Sequence, residues 1–132
     1  MADGSPERPA GGETVLLLED DAEVRGLVRR ILVRQGYEVL EAASPEEAFR
    51  LAEEAGPRCD LLLTDVILPR MSGRACFEAL RDRLPGLRTL YMSGYDAATV
   101  AELGVATDDA HFIQKPFTMD EMARKVREIL DA

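Results

Sequence analysis

Six side chains stand directly after short apolar runs, and their types fit one kind of chemistry. Glu19, Asp20 and Asp21 follow residues 15–18, Asp65 follows 61–64, Ser93 follows 87–92 and Lys115 follows 111–114. Acids brought together repel: two unit charges about 4 Å apart cost on the order of 4 kcal/mol at an effective dielectric near 20. Such acids share a proton or hold a cation. With only oxygen donors at hand, the cation is a hard one, and Mg²⁺ fits two carboxylates, a backbone carbonyl and waters. A divalent cation beside an ammonium and a hydroxyl is what phosphoryl transfer requires, since that reaction is mostly positioning and neutralisation of the transferred oxygens. A carboxylate can accept the group. Asp65, at the mouth of a central apolar run, is the candidate acceptor. Asp60 begins the same run, belongs to the opposite edge, and reads as structural. Lys115 is one of two lysines beside fourteen arginines. Its flexible point charge suits a phosphoryl oxygen or a carboxylate that changes partner. Taken singly, each residue has a plainer reading: a solvated acidic loop with Asp21 capping a helix, a turn serine before Gly94, a surface lysine. Their coincidence at successive run ends favours a site.

These residues converge only if the elements between them place the run ends together. Residues 15–18 (VLLL) and 61–63 (LLL) are continuous apolar runs, as in strands buried on both faces. Residues 37–41 are more polar and read as an edge strand; 87–92 and 111–114 supply a fourth and a fifth. Between them, apolar residues recur at helical spacing. Ser44-Pro45-Glu46-Glu47 and Thr118-Met119-Asp120-Glu121 have the form of capping boxes, and Gly36, Gly56-Pro57 and Pro85-Gly86 supply stops. A weaker helix, capped by Asp96 and reaching Gly104, carries Val100 and Leu103 inward and precedes a polar loop at 107–109. Strand and helix alternate five times. That pattern points to an α/β flavodoxin-like (βα)5 doubly wound parallel sheet; if the strand order is 2-1-3-4-5, the first and third strands are neighbours and their acids converge. In such sheets ligands gather beyond the carboxyl ends of the strands. A cis Lys115–Pro116 bond is expected to aim the amine at the site.

The chain has 132 residues, enough for one packed core and too few for two. Residues 1–13, rich in Gly and Pro, read as a disordered tail or linker, and 14–132 as the folded domain. With 16 basic and 25 acidic residues the formal charge is −9, which opposes binding to phosphate backbones. No apolar run nears the roughly 20 residues of a membrane helix, and no signal segment opens the chain. Cys59 and Cys76 lie far apart, consistent with a reducing cytoplasm. The single histidine, His111, excludes a His-rich metal site and reads as a packing residue in the fifth strand.

The quoted pieces VLLLEDD, LLLTDVILPRMSG, YMSGY and IQKPF, in that order and at those strand ends, resemble the receiver domain of two-component response regulators. The resemblance covers about Thr14 to Leu130. It implies Asp65 as the phosphoacceptor; Asp20, Asp65 and the Ile67 carbonyl as direct Mg²⁺ ligands (Mn²⁺ can substitute), with Glu19 acting through water; and Lys115 and Ser93 as the groups that pair with the phosphoryl oxygens. It makes Phe112 the aromatic that swings inward as Ser93 moves, although ordinary core packing explains Phe112 equally well. Pro69 and Gly73 match the loop after the acceptor. Glu19-Asp20 replaces the family's usual Asp-Asp. Ile67 and Tyr95 occupy the two variable positions that gate the attacking water, and their bulk is expected to slow autodephosphorylation.

The expected function is that of a phosphoacceptor switch, not an enzyme with a separate substrate. The donor is a phosphohistidine on a histidine kinase or a histidine phosphotransfer protein, and an unknown protein receives the signal. No nucleic acid or membrane takes part, and no output domain is expected after the last helix. The pieces also resemble receivers attached to hybrid sensor histidine kinases, which leaves an excised receiver and a stand-alone relay protein both open. A haloacid-dehalogenase-like enzyme would need a second Asp where Ile67 stands, and a cap domain. A nucleotide- or flavin-binding module would need a glycine-rich phosphate loop. A receiver that only binds partners has no use for the complete acid set.

Overall fold

The computed structural model describes residues 12–102 and 111–132. Five strands, β1 (Thr14–Leu18), β2 (Glu38–Ala42), β3 (Cys59–Asp65), β4 (Arg88–Ser93) and β5 (Phe112–Gln114), form one parallel sheet in the order β2-β1-β3-β4-β5. Helices α1 (Ala22–Arg34), α2 (Pro45–Ala55), α3 (Gly73–Arg83), α4 (Ala97–Glu102) and α5 (Met119–Asp131) make the crossovers, and a short 3₁₀ turn, Gly56–Arg58, leads into β3. This is the expected doubly wound topology, with β2 at one edge and β5 at the other.

The sheet separates two cores. Val15, Leu17, Leu61, Leu63, Leu90 and Met92 face α1 and α5, meeting Val28, Ile31, Leu32, Met122, Val126 and Ile129. Leu16, Leu18 and Leu62 face α2 and α3, meeting Ala48, Ala52, Cys76 and Leu80. Every residue of β1 is buried, so successive side chains feed opposite layers and both must be apolar. That is why its run shows no alternation in the sequence. Cys59 and Cys76 are both free and buried.

The helix ends are fixed by their own side chains. Asp21 accepts from the Glu23 and Val24 amides at the start of α1, Ser44 from Glu47, and Ser72 from Ala75. At α5 both halves of the Thr118–Glu121 capping box are formed. Asp96 accepts from the Thr99 amide at 2.8 Å at the start of α4, and hydrogen bonds from the Thr99 side chain and then from this amide hold its carboxyl below the usual range. Val100 is buried as expected, whereas Leu103, Gly104 and the loop at 107–109 lie outside the described residues.

Some boundaries differ from the sequence expectation. Asp65 and Ser93 are the last residues of β3 and β4, not the first residues beyond them, because each strand keeps its ladder partner to the end: Asp65 opposite Met92, Ser93 opposite Gln114. His111 lies just outside β5 and is only half-buried, although its carbonyl accepts from the Tyr91 amide at 3.0 Å. The folded contacts also begin before residue 14. The Gly12 amide donates to the Gly36 carbonyl, the Glu13 carbonyl accepts from the Glu38 amide, and the Glu13 carboxylate meets Arg127 of α5 at 2.7 Å. Residues 1–11 lie outside the described residues. The Lys115–Pro116 peptide bond is cis, as expected.

Candidate functional site

The register of the inner strands carries the acids to one end of the sheet. β1 pairs with β3 from Thr14 opposite Cys59 to Leu18 opposite Thr64. Glu19, next after β1, therefore comes beside Asp65, the last residue of β3. Oxygens of Glu19, Asp20 and Asp65 all lie within 4.8 Å of one another. Glu19 and Asp65 are buried and Asp20 is exposed, so the group opens to solvent on one side only. Asp60 is at the opposite end of β3, where its carboxylate accepts from the Thr14 amide at 2.9 Å; it is structural, as expected.

Lys115 closes the group. Its Nζ lies 2.7 Å from Asp65 Oδ1 and 3.0 Å from Glu19 Oε1. Its backbone is set by the amide, which donates to the Ser93 carbonyl at 2.7 Å. One lysine thus neutralises about one of two buried acids. Burial, and then the hydrogen bond with Glu19, push the Asp65 carboxyl up to about 8, against the pull of Lys115. Burial acts on Glu19 in the same sense, but the hydrogen bonds to Asp65, the Asp21 amide and Lys115 together outweigh it and bring its carboxyl below the usual range. The two acids titrate as a pair, one holding the proton that the other has shed. Burial alone would lower the Lys115 ammonium; Asp65 and Glu19 reverse that and raise it. A buried acid that is protonated near neutrality marks a pocket short of positive charge. An all-oxygen donor set with that deficit fits a hard divalent cation.

The remaining candidates lie on β4, on β5 and on the segments that follow β3 and β4. Ser93 Oγ accepts from the Tyr95 amide at 3.0 Å, folding the turn after β4. Ile67 lies two residues beyond Asp65, and its side chain, like that of Tyr95, is about half exposed. Phe112 is half-buried and packs on Val66, Tyr91 and Val100.

Three contacts were not legible, although the resemblance singles out Gly73 itself. Gly73 opens α3, its amide donating to the Val66 carbonyl at 2.8 Å, and any Cβ there would run into the Asp65 carbonyl oxygen. The sequence shows a glycine in a loop, but the clash depends on how α3 leans on β3. The Thr64 hydroxyl donates to the same Asp65 carbonyl at 3.0 Å. Arg25 donates to the Glu19 carbonyl at 2.7 Å; nothing in the sequence distinguished it from thirteen other arginines.

The fold and the pocket together define a flavodoxin-like α/β domain with a cluster of acids at the carboxyl edge of its sheet. Within that class the chain belongs to the response regulator receiver domain family, whose profile matches residues 15–127. The sensor kinase CckA of Brucella abortus is 37% identical over 122 residues, which are 92% of this chain and 13% of that protein. The response regulator receiver protein CpdR of the same organism is 29% identical, over 89% of this chain and 97% of that one. The chain spans about half the length of other curated relatives, such as the transcriptional regulatory protein TrcR of Mycobacterium tuberculosis, at 29% identity. Among solved structures, the receiver domain of the hybrid histidine kinase CckA superposes with a TM-score of 0.75 at 34% identity, covering 89% of this chain and 98% of that one. The Vibrio cholerae chemotaxis protein CheY4 gives 0.77 at 26%, with the same coverage. Among the described residues, no helix is long and apolar enough to cross a membrane.

Proposed function

We propose that Asp65 accepts a phosphoryl group from a phosphohistidine of a partner, either a histidine kinase or a histidine phosphotransfer protein. The observation that carries this reading is the placement of Lys115 Nζ, 2.7 Å from Asp65 and 3.0 Å from Glu19, within a cluster that includes Asp20. A carboxylate oxygen of Asp65 attacks phosphorus in line. The P–N bond breaks, and its electron pair leaves with the imidazole, which takes up a proton. Asp20, Asp65 and the Ile67 carbonyl would hold Mg²⁺ directly, with Glu19 acting through water; Mn²⁺ can take its place. The bound cation supplies positive charge to the transferred oxygens.

Phosphorylation changes the partners of two residues. Lys115 exchanges a carboxylate for a phosphoryl oxygen, a charge-assisted contact of the same kind. The Ser93 hydroxyl turns to donate to the phosphoryl group, and Phe112 moves inward behind it. The face formed by α4, β5 and α5 shifts its population and engages a downstream protein. Ile67 and Tyr95 restrict the approach of water and lengthen the life of the acyl phosphate. The protein is thus a switch with self-phosphorylation and self-dephosphorylation chemistry, acting in the cytoplasm through protein contacts and without nucleic acid.

Incubation with acetyl phosphate and Mg²⁺, followed by intact-mass measurement, tests the reading. The expected result is one phosphoryl adduct on the wild-type chain and none on Asp65→Asn. An adduct on both, or on neither, overturns it.

A further inference from the structure

Glu19 is 1% exposed, and each of its polar groups has a partner. Its amide donates to the Ala42 carbonyl, Oε1 meets Lys115, and Oε2 accepts from the Asp21 amide. The fourth group, its carbonyl, is the one that joins Glu19 to Asp20, and it is held from α1. Arg25 Nη1 donates to it at 2.7 Å. The same guanidinium is anchored on the far side by Glu41 of β2, whose carboxylate lies 3.5 Å from Arg25 Nε and 3.0 Å from Arg29 Nε. A planar guanidinium with donors on two edges bridges a carbonyl and a carboxylate at fixed angles, whereas an ammonium is a point charge on a flexible stem that fixes no such angle.

Asp20 is the exposed member of the acid cluster, so its place depends on the backbone that precedes it. Resting on the metal reading above, we infer that Arg25 is a positioning residue for the acidic loop. It clamps the Glu19–Asp20 peptide between α1 and β2, and so presets the Asp20 carboxylate for a divalent cation. Groups that orient ligands from behind typically change metal affinity by about 10- to 100-fold when removed. Arg25 lies beside the site as a like charge to the cation, so its removal would also relieve some repulsion. Arg25→Lys retains the charge and removes the bridge, and is therefore the informative variant.

The experiment is a calorimetric titration of the full chain with Mg²⁺, beside thermal melts without metal. Asp60→Ala serves as the control, since it removes the acceptor of the Thr14 amide at the opposite end of the sheet. Arg25→Lys is expected to weaken Mg²⁺ by about tenfold, whereas Asp60→Ala lowers the melting temperature and leaves the affinity at the wild-type value. Equal affinity in Arg25→Lys and wild type overturns the inference while leaving the metal site standing. A wild-type chain that takes up no Mg²⁺ refutes the metal reading, and this inference with it. If Arg25→Lys does not fold, Glu41→Gln decides: it leaves Arg25 in place without its anchor, so a loss of affinity supports the clamp and an unchanged affinity rejects it.

Discussion

The ammonium of Lys115 sits 2.7 Å from Oδ1 of Asp65, joining the last residue of β3 to the residue after β5 across the end of β4. The contact is partly open, the lysine side chain being 24% exposed and the aspartate 9%. Its worth therefore falls between a screened surface pair and a buried one. Lys115→Met leaves Glu19 and Asp65 facing each other without a counter-charge. The expected result is a loss of about 1–3 kcal/mol of stability without metal at neutral pH, read from urea unfolding. Millimolar Mg²⁺ should restore much of it, because a cation bound by the folded chain stabilises that state. A loss that Mg²⁺ does not touch would mean that the acids are not the reason for it.

The raised carboxyl of Asp65 sets a pH dependence of definite sign. Its folded value of about 8 lies above the 3.8 of a free aspartate, so between those values the folded chain holds a proton that the unfolded chain has released. Stability contributed by this group is complete below about pH 4 and is lost as pH rises toward 8. Glu19 works oppositely, adding stability above its ordinary value and losing it only as the medium becomes more acid than that. Asp65→Asn mimics the protonated form at every pH. The variant should be more stable than wild type at pH 8, by several kcal/mol, and nearly equal to it at pH 4. Melts of the metal-free proteins across that range check it. A constant difference would contradict the assignment of the bound proton to Asp65.

The sequence made β1 and β3 legible because both are buried on both faces and so show unbroken apolar runs. It made Asp65, Ser93 and Lys115 legible because each stands where such a run stops. Strand order came from the doubly wound fold class, and the convergence of the acids followed from it. What escaped were contacts made from behind. Arg25 and Gly73 act through the carbonyls of Glu19 and Asp65, at sequence separations of six and eight residues. Their side chains, or the want of one, matter only once α1 and α3 lie on the sheet. The attachment of Glu13 to Arg127 escaped for the same reason, since a tail rich in Gly and Pro does not reveal which helix its end will meet.

Gly73 has an ordinary helical start, so the argument for it is one of space rather than of backbone freedom. A methyl group there would clash with the Asp65 carbonyl oxygen, which is backbone and cannot swing aside. Relief requires α3 to lift from the end of β3, taking the loop that carries Ile67 with it. Gly73→Ala is expected to lose about 2 kcal/mol or more, as overpacked sites do, and to lower the yield of phosphoryl adduct from acetyl phosphate even where the chain remains folded. A variant that melts and labels like wild type would show that α3 has room to move.

Among the described residues, Thr89 Oγ1 is the buried side-chain polar atom without a hydrogen-bond partner. Thr89 lies on β4, one residue after Arg88, and its neighbours Leu90 and Tyr91 are buried as well. A hydroxyl removed from water with nothing to bond loses about 1–3 kcal/mol relative to a satisfied one. Valine has the same branched shape and no hydroxyl, and it favours the strand as much as threonine does. Thr89→Val should therefore stabilise the fold by about 1 kcal/mol, visible as a higher urea midpoint at unchanged slope. Because Thr89 stands four residues from Ser93, at the far end of the strand, Mg²⁺ affinity and adduct yield should be unaltered. Destabilisation would mean that the hydroxyl has a partner in solution after all, and a crystal structure of the variant would reveal the group it had served.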